Sequence, residues 1–241
     1  MTVQGAKLVN KGKITTCTHL PYPPFQSARG GKVVGFDVDM IDLVAKKLGV
    51  TQQVIDTPFE TIKTGAALNA GKCDVAAAGM TIKPERAKFI DFSKPYFDAT
   101  QALMAKKGVT FASLDAVKSE KLTVGSQAQT TGEDYVHGKG IDSKSFKDSA
   151  SLLNGLRSGQ VDAIVEDYPV VQGWLKDPAN AKYGVAANLN TGERYGFAVR
   201  KSHNPKLLAM IDQAITDAKQ DGEYKKIYEK WIGPLPAGSP E

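Results

Sequence analysis

The stretch Gly79-Met-Thr-Ile-Lys-Pro-Glu-Arg-Ala-Lys-Phe-Ile-Asp-Phe-Ser-Lys-Pro-Tyr96 decides how the rest of the chain is interpreted. It follows residues 75–78, an apolar run that is typical of a buried strand. Pro84 suits the first turn of a short helix, because its ring holds φ near the helical value and its missing N–H is not needed there. Arg86 then lies at the carboxyl end of a strand, beside helix N–H groups and the hydroxyl of Thr81. This arrangement can hold a carboxylate, although an arginine on a surface loop is the simpler alternative.

The composition is that of an ordinary globular protein. The chain has 241 residues, of which 41% are hydrophobic and 24% are charged. This length suits one large domain or two domains of about 100–120 residues. The net charge of +5 comes from 31 basic residues interleaved with 26 acidic ones, and no basic run exceeds two residues. Since a nucleic-acid surface clusters its positive charge on one face, we predict no nucleic-acid partner.

The sequence carries no sign of a membrane span or a metal site. Its apolar runs are far too short to cross a bilayer. No signal peptide precedes the first predicted strand in this sequence, which does not exclude export. The histidines, His19, His137 and His203, are too widely spaced for a zinc motif. We therefore predict no metal and no cofactor.

Two cysteines, Cys17 and Cys73, could form a disulfide if the protein is exported. Cys17 lies near the end of one predicted strand, and Cys73 lies at the start of another. If these strands are parallel neighbours, the two thiols are too far apart for a bridge. We therefore expect two buried free thiols.

The first half of the chain alternates strands and helices. Residues 13–18 are rich in β-branched residues and predict a strand. The three prolines that follow present His19, Tyr22 and Phe25 on an extended loop, here called the 19–25 loop. The segments predicted next are a helix capped by Asp37 or Asp39, a strand at 50–54, a helix at 59–69 and a strand at 74–78. This alternation predicts a parallel sheet, and ligands bind at the carboxyl ends of such strands, where the 19–25 loop and Arg86 converge.

A second unit repeats this order. Its predicted elements are a strand at 122–126, a helix that starts at Thr130 or Thr131, a strand at 143–147, a helix at 149–157 and a strand at 161–165. The pattern Leu-x-x-Gly-x-x-Asp occurs at 68–74 in the first unit and again at 156–162 in the second. The strand after the first copy leads to Arg86, and the strand after the second leads to Glu166 and Asp167. This echo indicates two similar α/β lobes, although such helix–glycine–strand junctions are common.

Two extended segments, 98–105 and 194–200, join the units. They make the second unit an insertion into the first, so we predict that lobe 1 comprises 1–98 and 196–241 and lobe 2 comprises 99–195. Two crossing strands would form a hinge. The other predictions are a helix at 168–174, a polar Gly/Asn-rich region at 177–192, an amphipathic helix from Asn204-Pro205, a last helix that ends at Gly233 and a disordered tail at 235–241.

Arg86 and Asp167 provide opposite charges on the two lobes. If the lobes face each other, this pair matches the α-carboxylate and the α-ammonium of a free amino acid. A planar guanidinium pairs both carboxylate oxygens, and an aspartate is a compact acceptor for an ammonium group. A buried pair of this kind selects a zwitterion, because both ligand charges must be satisfied. The alternative for Asp167 is a helix N-cap before Pro169.

Several motifs occur in the order that is typical of one family. They are Gly35-Phe-Asp-Val-Asp39, Gly79-Met-Thr-Ile-Lys-Pro-Glu-Arg86, Asp91-Phe-Ser-Lys-Pro-Tyr96, Val161-Asp-Ala-Ile-Val-Glu-Asp167, Tyr195-Gly-Phe-Ala-Val199 and Tyr228-Glu-Lys-Trp-Ile-Gly233. From Gly12 to Gly233 the chain resembles the polar amino-acid-binding family of bacterial extracytoplasmic solute-binding proteins, which supply ABC transporters. The resemblance implies a two-lobe, periplasmic-binding-protein-like α/β fold of type II, in which each lobe is a central sheet flanked by helices. It also implies a monomer in the periplasm or lipid-anchored outside the membrane, with a free amino acid and an ABC transporter permease as partners.

The resemblance implies a role for several residues around the ligand's carboxylate. Arg86 binds the carboxylate, aided by Thr81 and by the helix N-terminus near Thr130 and Thr131. Gly79 offers its carbonyl oxygen, and Thr81 its hydroxyl, to the charged ends of the ligand.

Other residues are expected around the ligand's ammonium group and side chain. By the same resemblance, Asp167 binds the ammonium, and Tyr22 and Phe59 form aromatic walls, with core packing as the alternative for both rings. Relatives that bind basic amino acids or glutamine often carry an acidic residue where this chain has His19. Glu166 could supply the missing carboxylate. The expected ligand is therefore a polar amino acid, neutral or basic.

Two other functions suit the same fold. An enzyme resembling dehydratases of cyclic carboxylic acids needs a general acid, a role open to Glu166 or His19, but the sequence offers no activated nucleophile. A ligand-sensing domain of a receptor or regulator is the second alternative, although this sequence has no DNA-binding helix pair or transmembrane helix. We therefore predict a binding protein rather than an enzyme.

Overall fold

The computed structural model describes residues 2–236. The chain divides into two compact units, unit 1 (Met1–Asp98 and Arg194–Glu241) and unit 2 (Ala99–Glu193). The strands, in chain order, are β1 (Thr2–Val3), β2 (Ala6–Lys7), β3 (Lys13–Thr18), β4 (Ser27–Arg29), β5 (Lys32–Val34), β6 (Thr51–Asp56), β7 (Val75–Ala76), β8 (Ile90–Phe92), β9 (Phe97–Lys106), β10 (Val124–Gln127), β11 (Ser143–Phe146), β12 (Ala163–Asp167), β13 (Tyr183–Tyr195) and β14 (Ala198–Arg200). The α-helices are α1 (Phe36–Leu48), α2 (Phe59–Lys63), α3 (Ala66–Asn69), α4 (Pro84–Ala87), α5 (Asp115–Ser119), α6 (Thr131–Gly138), α7 (Ser149–Arg157), α8 (Tyr168–Leu175), α9 (Pro205–Gln220) and α10 (Glu223–Trp231).

The main sheet of unit 1 has five strands in the order β6-β3-β7-β14-β8. β3 is parallel to β6 and β7, whereas β14 is antiparallel to β7 and β8. The β-branched residues of β3 favour extended backbone, and every residue after the first is buried. Because β3 and β7 are parallel neighbours, the 19–25 loop and the segment 79–96 both follow the same edge of the sheet. The predicted parallel sheet is confirmed.

Aromatic side chains form the core of unit 1 beside this edge. The ring of Tyr96 stacks on that of Phe197, with centroids 3.9 Å apart. Phe36 of α1 meets the ring of Tyr224 of α10 edge to face at 5.7 Å. Stacked and edge-to-face ring pairs are favourable beyond the area that they bury. The cluster therefore fixes α1 and α10 against the end of the segment 79–96.

Unit 2 has a five-stranded sheet with a similar arrangement, β11-β10-β12-β9-β13. β10 is parallel to its neighbours β11 and β12, and β9 runs antiparallel to β12. In each unit, three parallel strands are therefore followed by a strand of opposite direction.

The two units also repeat one pair of hydrogen bonds. In unit 1, the backbone N of Asp74 donates to the carbonyl oxygen of Thr15 (2.8 Å), and the backbone N of Thr15 donates to Oδ2 of Asp74 (2.7 Å). In unit 2, Asp162 and Thr123 make the same two bonds, both at 2.9 Å. Each aspartate thus joins the start of one parallel strand to its neighbour. The sequence echo at 68–74 and 156–162 corresponds to a repeated piece of structure.

The helix predicted at 59–69 is two short helices, α2 and α3. Gly65 lies between them with φ of 73°, and a Cβ at this position would lie 2.8 Å from the carbonyl oxygen of Phe89. Only glycine fits this left-handed, crowded turn without strain. The prediction of one continuous helix was wrong because the apolar spacing continues across the break.

The polar Gly/Asn-rich region at 177–192, where the sequence predicts no strand, contains most of β13, which runs continuously from Tyr183 to Tyr195. Leu189, Glu193 and Tyr195 are buried, and the residues between them are exposed or half-buried. This alternation is the pattern of a strand with one exposed face. Asn188, Asn190 and Gly192, which contribute to the polar character of this region, are exposed.

The two cysteines form a disulfide, so the prediction of free thiols is wrong. The Cα atoms of Cys17 and Cys73 are 5.7 Å apart, within the usual range for a bridge. Cys73 is not on a strand but in the turn between α3 and β7. Both cysteines pack in the apolar cluster between the sheet and α2–α3. The prediction failed because it assigned Cys73 to the strand.

α1 begins directly after Gly35, and neither predicted cap is present. The backbone of Gly35 has φ of 149°, and a Cβ there would lie 2.1 Å from the carbonyl oxygen of Phe25. Asp37 is instead 1% exposed, and its side chain points into unit 1. Asp39 pairs with Lys230 of α10 at 2.7 Å. The negative charges in the first turn still suit the positive end of the helix dipole.

None of the described helices is both long and apolar enough to cross a membrane. Of the tail predicted at 235–241, residues 237–241 lie outside the described residues.

Candidate functional site

Arg86 is buried near the start of the segment 79–96. Its helix, α4, begins with Pro84 at the first position, as predicted. The Arg86 side chain donates from Nη1 to the carbonyl oxygen of Thr81 (2.9 Å), and its Cζ lies 5.3 Å from the ring centroid of Phe59. Arg86 is only 8% exposed, so the alternative of a surface arginine is wrong. Because a guanidinium is planar, a hydrogen bond at one edge and a ring against one face together restrict its orientation.

Gly79 and Tyr22 meet at the edge of the unit 1 sheet. Gly79 has φ of 54°, and a Cβ at this position would lie 2.8 Å from Cε1 of Tyr22. The backbone N of Gly79 donates to Oδ2 of Asp37 at 2.8 Å. The 19–25 loop and the segment 79–96 therefore converge, as predicted. The role of the Tyr22 ring as a wall for a ligand stays a prediction.

His19 continues the row of side chains that begins at Arg86. Its ring centroid lies 6.4 Å from that of Phe59, whose ring lies beside the Arg86 guanidinium. The Nε2 atom of His19 is buried and has no hydrogen-bond partner among the described residues. Buried polar atoms are normally satisfied, so this nitrogen suits a polar group of a bound molecule.

In unit 2, carboxylates gather around Gln101, a fully buried residue of β9. The amide Nε2 of Gln101 donates to Oδ1 of Asp167 and to Oε1 of Glu193, the latter at 3.0 Å. The backbone N of Asp167 donates to Oε1 of Glu166 at 2.9 Å. The three acidic residues are at most 9% exposed. Buried carboxylates are costly unless hydrogen bonds or cations satisfy them, so this group suits an ammonium or a guanidinium.

The register of the sheet explains how Asp167 reaches Gln101. β12 pairs with β9 so that Asp167 lies opposite Gln101. Asp167 also occupies the N-cap position of α8, but its side chain makes no capping hydrogen bond to that helix. The N-cap alternative therefore describes the position of Asp167 and not the contacts of its carboxylate.

The amino end of α6 adds hydroxyl groups to the same part of unit 2. Thr130 is the N-cap, and its Oγ1 accepts from the backbone N of Glu133 at 3.3 Å, as the predicted helix start requires. Oγ1 of Thr131 donates to Oε2 of Glu193 at 2.9 Å. Gly132 leaves room for Gln101, since a Cβ there would lie 3.0 Å from Oε1 of the glutamine. That Oε1 atom has no hydrogen-bond partner among the described residues.

Three residues of these clusters were not predicted as site residues. Gln101 could have been noticed as a polar residue at the start of a buried apolar strand. Glu193 lies between the polar region at 177–192 and the extended segment predicted at 194–200, and none of the family motifs includes it. Asp37 was interpreted as a helix cap, which is the commoner role for an aspartate at the start of a helix.

Asp37, which bonds to the backbone of Gly79, has a strongly shifted ionisation. Burial raises the pKa of its carboxyl from 3.8 to about 7, against the lowering effect of hydrogen bonds from the Tyr96 hydroxyl and the Gly79 backbone. Burial disfavours the charged form because the charge loses its solvation by water. Among the described residues, no group of three or more His, Cys, Asp or Glu side chains is arranged to hold a metal ion.

Comparison with known proteins gives the family of this chain. The family described as bacterial extracellular solute-binding proteins, family 3, matches residues 14–234. The chain belongs to this family. The match covers both units, and the predicted resemblance is confirmed. Its solved relatives have the two-lobe, type II fold, so the predicted fold class is also confirmed.

The relatives of this family member bind amino acids. A probable histidine-binding protein of Neisseria gonorrhoeae is 32% identical over 94% of this chain and 86% of its own. Two structures of an ancestral arginine-binding protein, bound to glutamine and to arginine, are 41% and 40% identical, with TM-scores of 0.85 and 0.84. They cover 93% and 92% of this chain and 99% of theirs. An ancestral amino acid-binding protein described as a precursor of cyclohexadienyl dehydratase is 33% identical, with a TM-score of 0.84 over 92% of this chain and 96% of its own.

Proposed function

We propose that this protein binds one free polar L-amino acid and delivers it to the permease of an ABC transporter. The α-carboxylate binds to Arg86 and Thr81 in unit 1, and the α-ammonium binds to Asp167 in unit 2. The observation that carries the proposal is the buried guanidinium of Arg86, which Thr81 and Phe59 hold in one orientation. A guanidinium held in this way can pair with both oxygens of a carboxylate. A single ligand that satisfies both groups has to be a zwitterion.

The chemistry of unit 2 favours a basic amino acid, with arginine first. An α-ammonium needs one carboxylate, whereas Asp167 and Glu193 both bond to Gln101, and Glu166 adds a third carboxylate beside Asp167 in the chain. The additional negative charge favours a guanidinium over a neutral amide. It offsets the imidazole of His19, which stands where an acidic residue is common in relatives that bind basic ligands. Arginine and histidine also figure in the names of similar proteins.

Isothermal titration against the twenty amino acids tests the proposal. We expect arginine to bind with a Kd below about 100 μM, which corresponds to about −5.5 kcal/mol. Arg86→Ala should weaken this binding by at least about 100-fold, since a charge-assisted bidentate pair is lost. The matched control is Arg157→Ala, which removes a partly exposed guanidinium paired with Asp177 in unit 2. If no amino acid binds, or if Arg86→Ala binds as tightly as the wild type, the proposal is wrong.

We propose further that the protein works outside the cytoplasm as a monomer. The buried disulfide supports this location, because cytosolic thiols are kept reduced. Light scattering of the purified protein measures the oligomeric state, and a dimer mass would contradict the proposed monomer. Thiol alkylation of the protein from its native cells, without reductant, should leave both cysteines unlabelled.

A further inference from the structure

One carboxylate contacts both ends of the segment that carries Arg86. Asp37 of α1 is 1% exposed. Its Oδ2 accepts a hydrogen bond from the backbone N of Gly79 (2.8 Å), and its Oδ1 accepts one from the hydroxyl of Tyr96 (2.7 Å). Gly79 and Tyr96 are the first and last residues of the segment 79–96.

Tyr96 is a firm anchor for this pair of bonds. Its ring is 1% exposed and stacks on Phe197 with an angle of 2° between the planes. Its carbonyl oxygen accepts a hydrogen bond from the hydroxyl of Tyr224 of α10 at 2.7 Å. Asp37 therefore connects Gly79 to a ring that the core of unit 1 already holds.

Gly79 is the point at which this connection reaches the candidate site. Its left-handed backbone passes directly beneath the ring of Tyr22, and Thr81 follows two residues later. Thr81 in turn accepts the hydrogen bond from Arg86. A change in the position of Gly79 would displace both the aromatic ring and the guanidinium.

We propose that Asp37 is a positioning residue for ligand binding, which holds the segment 79–96 closed by bonding its two ends at once. Asp37 acts through Gly79 and Tyr96 and does not touch the ligand. The effect on affinity rests on the proposed function, whereas the effect on the segment itself does not.

The ionisation of Asp37 determines how well it can hold both ends. A carboxylate accepts charge-assisted hydrogen bonds at both oxygens, whereas a protonated carboxyl accepts from Gly79 and donates to the phenol oxygen of Tyr96, so that both bonds become neutral and weaker. With the pKa raised to about 7 by burial, the change between the two forms falls near neutral pH. We therefore infer that ligand affinity falls when the Asp37 carboxyl becomes protonated at acidic pH, because its bonds to both ends of the segment 79–96 weaken.

The ion pairs of α1 involve residues of the helix other than Asp37. The elements packed against α1 are β3, β5, β6, α9 and α10. Among the described residues, the ionisable side chains that contact α1 from these elements include Asp217 of α9, paired with Lys47, Lys230 of α10, paired with Asp39, and the phenols of Tyr224 and Tyr228. Both ion pairs lie on the outer side of the helix, partly exposed to water. Their charges are screened there.

The test compares the wild type with Asp37→Asn in arginine titrations between about pH 5.5 and 8.5. Asparagine accepts at Oδ1 and donates from Nδ2, so it reproduces the protonated carboxyl at every pH. We expect the Kd of the wild type to rise about threefold to tenfold from high to low pH, because both bonds of Asp37 lose their charge assistance. The Kd of Asp37→Asn should not show this rise. It should stay close to the value that the wild type has at low pH.

Amide hydrogen exchange of the ligand-free protein separates this inference from the proposed function. Asp37→Ala removes both bonds, so peptides within 79–96 should exchange faster than in the wild type while peptides of unit 2 do not change. Tyr96→Phe removes only one bond and should give an intermediate effect. If Asp37→Ala does not fold, Asp37→Asn and Tyr96→Phe still provide the comparison.

Parallel pH profiles of the wild type and Asp37→Asn would overturn the inference about affinity. Unchanged exchange within 79–96 in the variants would overturn the positioning role itself. If the wild type binds none of the twenty amino acids, the proposed function fails while the exchange result still decides whether Asp37 holds the segment.

Discussion

At Gly79, backbone conformation and side-chain contact both exclude a larger residue. Its φ of 54° is strained for any residue with a Cβ, and that Cβ would lie 2.8 Å from the ring of Tyr22. Gly71 has a similar φ of 68°, but no atom lies within 4 Å of a Cβ built there. A comparison of substitutions at the two glycines therefore separates the effect of backbone strain from the effect of the contact with Tyr22.

We predict that Gly79→Ala lowers ligand affinity at least about tenfold, because the ring of Tyr22 or the backbone beside Thr81 has to move. Gly71→Ala should cost about 1 kcal/mol of folding stability, from the positive φ alone, and leave affinity unchanged. Titration calorimetry and thermal unfolding of both variants measure the difference. Equal affinities in the two variants would contradict the importance of the Gly79 contact.

Among the elements of unit 1, the disulfide joins strand β3 to the turn between α3 and β7. It closes a loop over a sequence separation of 56 residues. In the chain-entropy description, a bridge of this span stabilises the folded protein by about 4 kcal/mol, because it restricts the unfolded chain.

We therefore predict that reduction lowers the unfolding temperature of the wild type. The double variant Cys17→Ala with Cys73→Ala should unfold at a low temperature with or without reductant. Calorimetric scans of both proteins, each with and without dithiothreitol, give the four values. A wild type that is insensitive to full reduction would argue against a stabilising bridge.

The alternation of strands and helices was predictable because apolar periodicity and glycine punctuation are local signals. The short helix at Pro84, the start of α6 after Thr130 and α7 at Ser149–Arg157 all follow from such signals. The errors arose where a distant part of the chain decides the local structure. The break at Gly65 depends on the carbonyl of Phe89, and the extended form of β13 depends on its neighbour β9.

The candidate site was predictable to a smaller extent. Arg86 and Asp167 follow motifs that lie at strand ends, where a sheet with parallel strands places its ligands. Gln101 owes its role to the register that sets it opposite Asp167, and no pattern within a single segment specifies that register. Asp37 owes its role to Tyr96, which is 59 residues away in the sequence. Contacts of this kind become visible only in the folded chain.

For the whole molecule, the buried carboxyl of Asp37 sets the sign of a pH dependence. Its pKa is about 7 in the folded protein and near 3.8 in the unfolded chain, so between these values the folded state holds a proton that the unfolded state has released. The stabilisation that this group contributes is fully present below pH 3.8 and is lost as the pH rises through about 7. Asp74, whose pKa burial also raises, acts in the same direction.

We predict that the free energy of unfolding falls by about 3 kcal/mol between about pH 5 and pH 8, from about two pH units of differential proton binding. Asp37→Asn should show a much flatter profile over the same range. Urea unfolding at a series of pH values measures both. A wild type that becomes more stable as the pH rises would contradict the assignment.

The hydrogen bond between Gln101 and Glu193 has a consequence for how this protein can be divided into fragments. These residues lie two and zero positions from the ends of Ala99–Glu193, and the 3.0 Å between their side chains brings the two ends of unit 2 together. A polypeptide of residues 99–193 would thus have adjacent termini and its own five-stranded sheet. We expect it to express and fold as an independent domain, which a dispersed amide spectrum would verify. Such a fragment would let the carboxylate cluster be titrated with guanidinium compounds in the absence of Arg86.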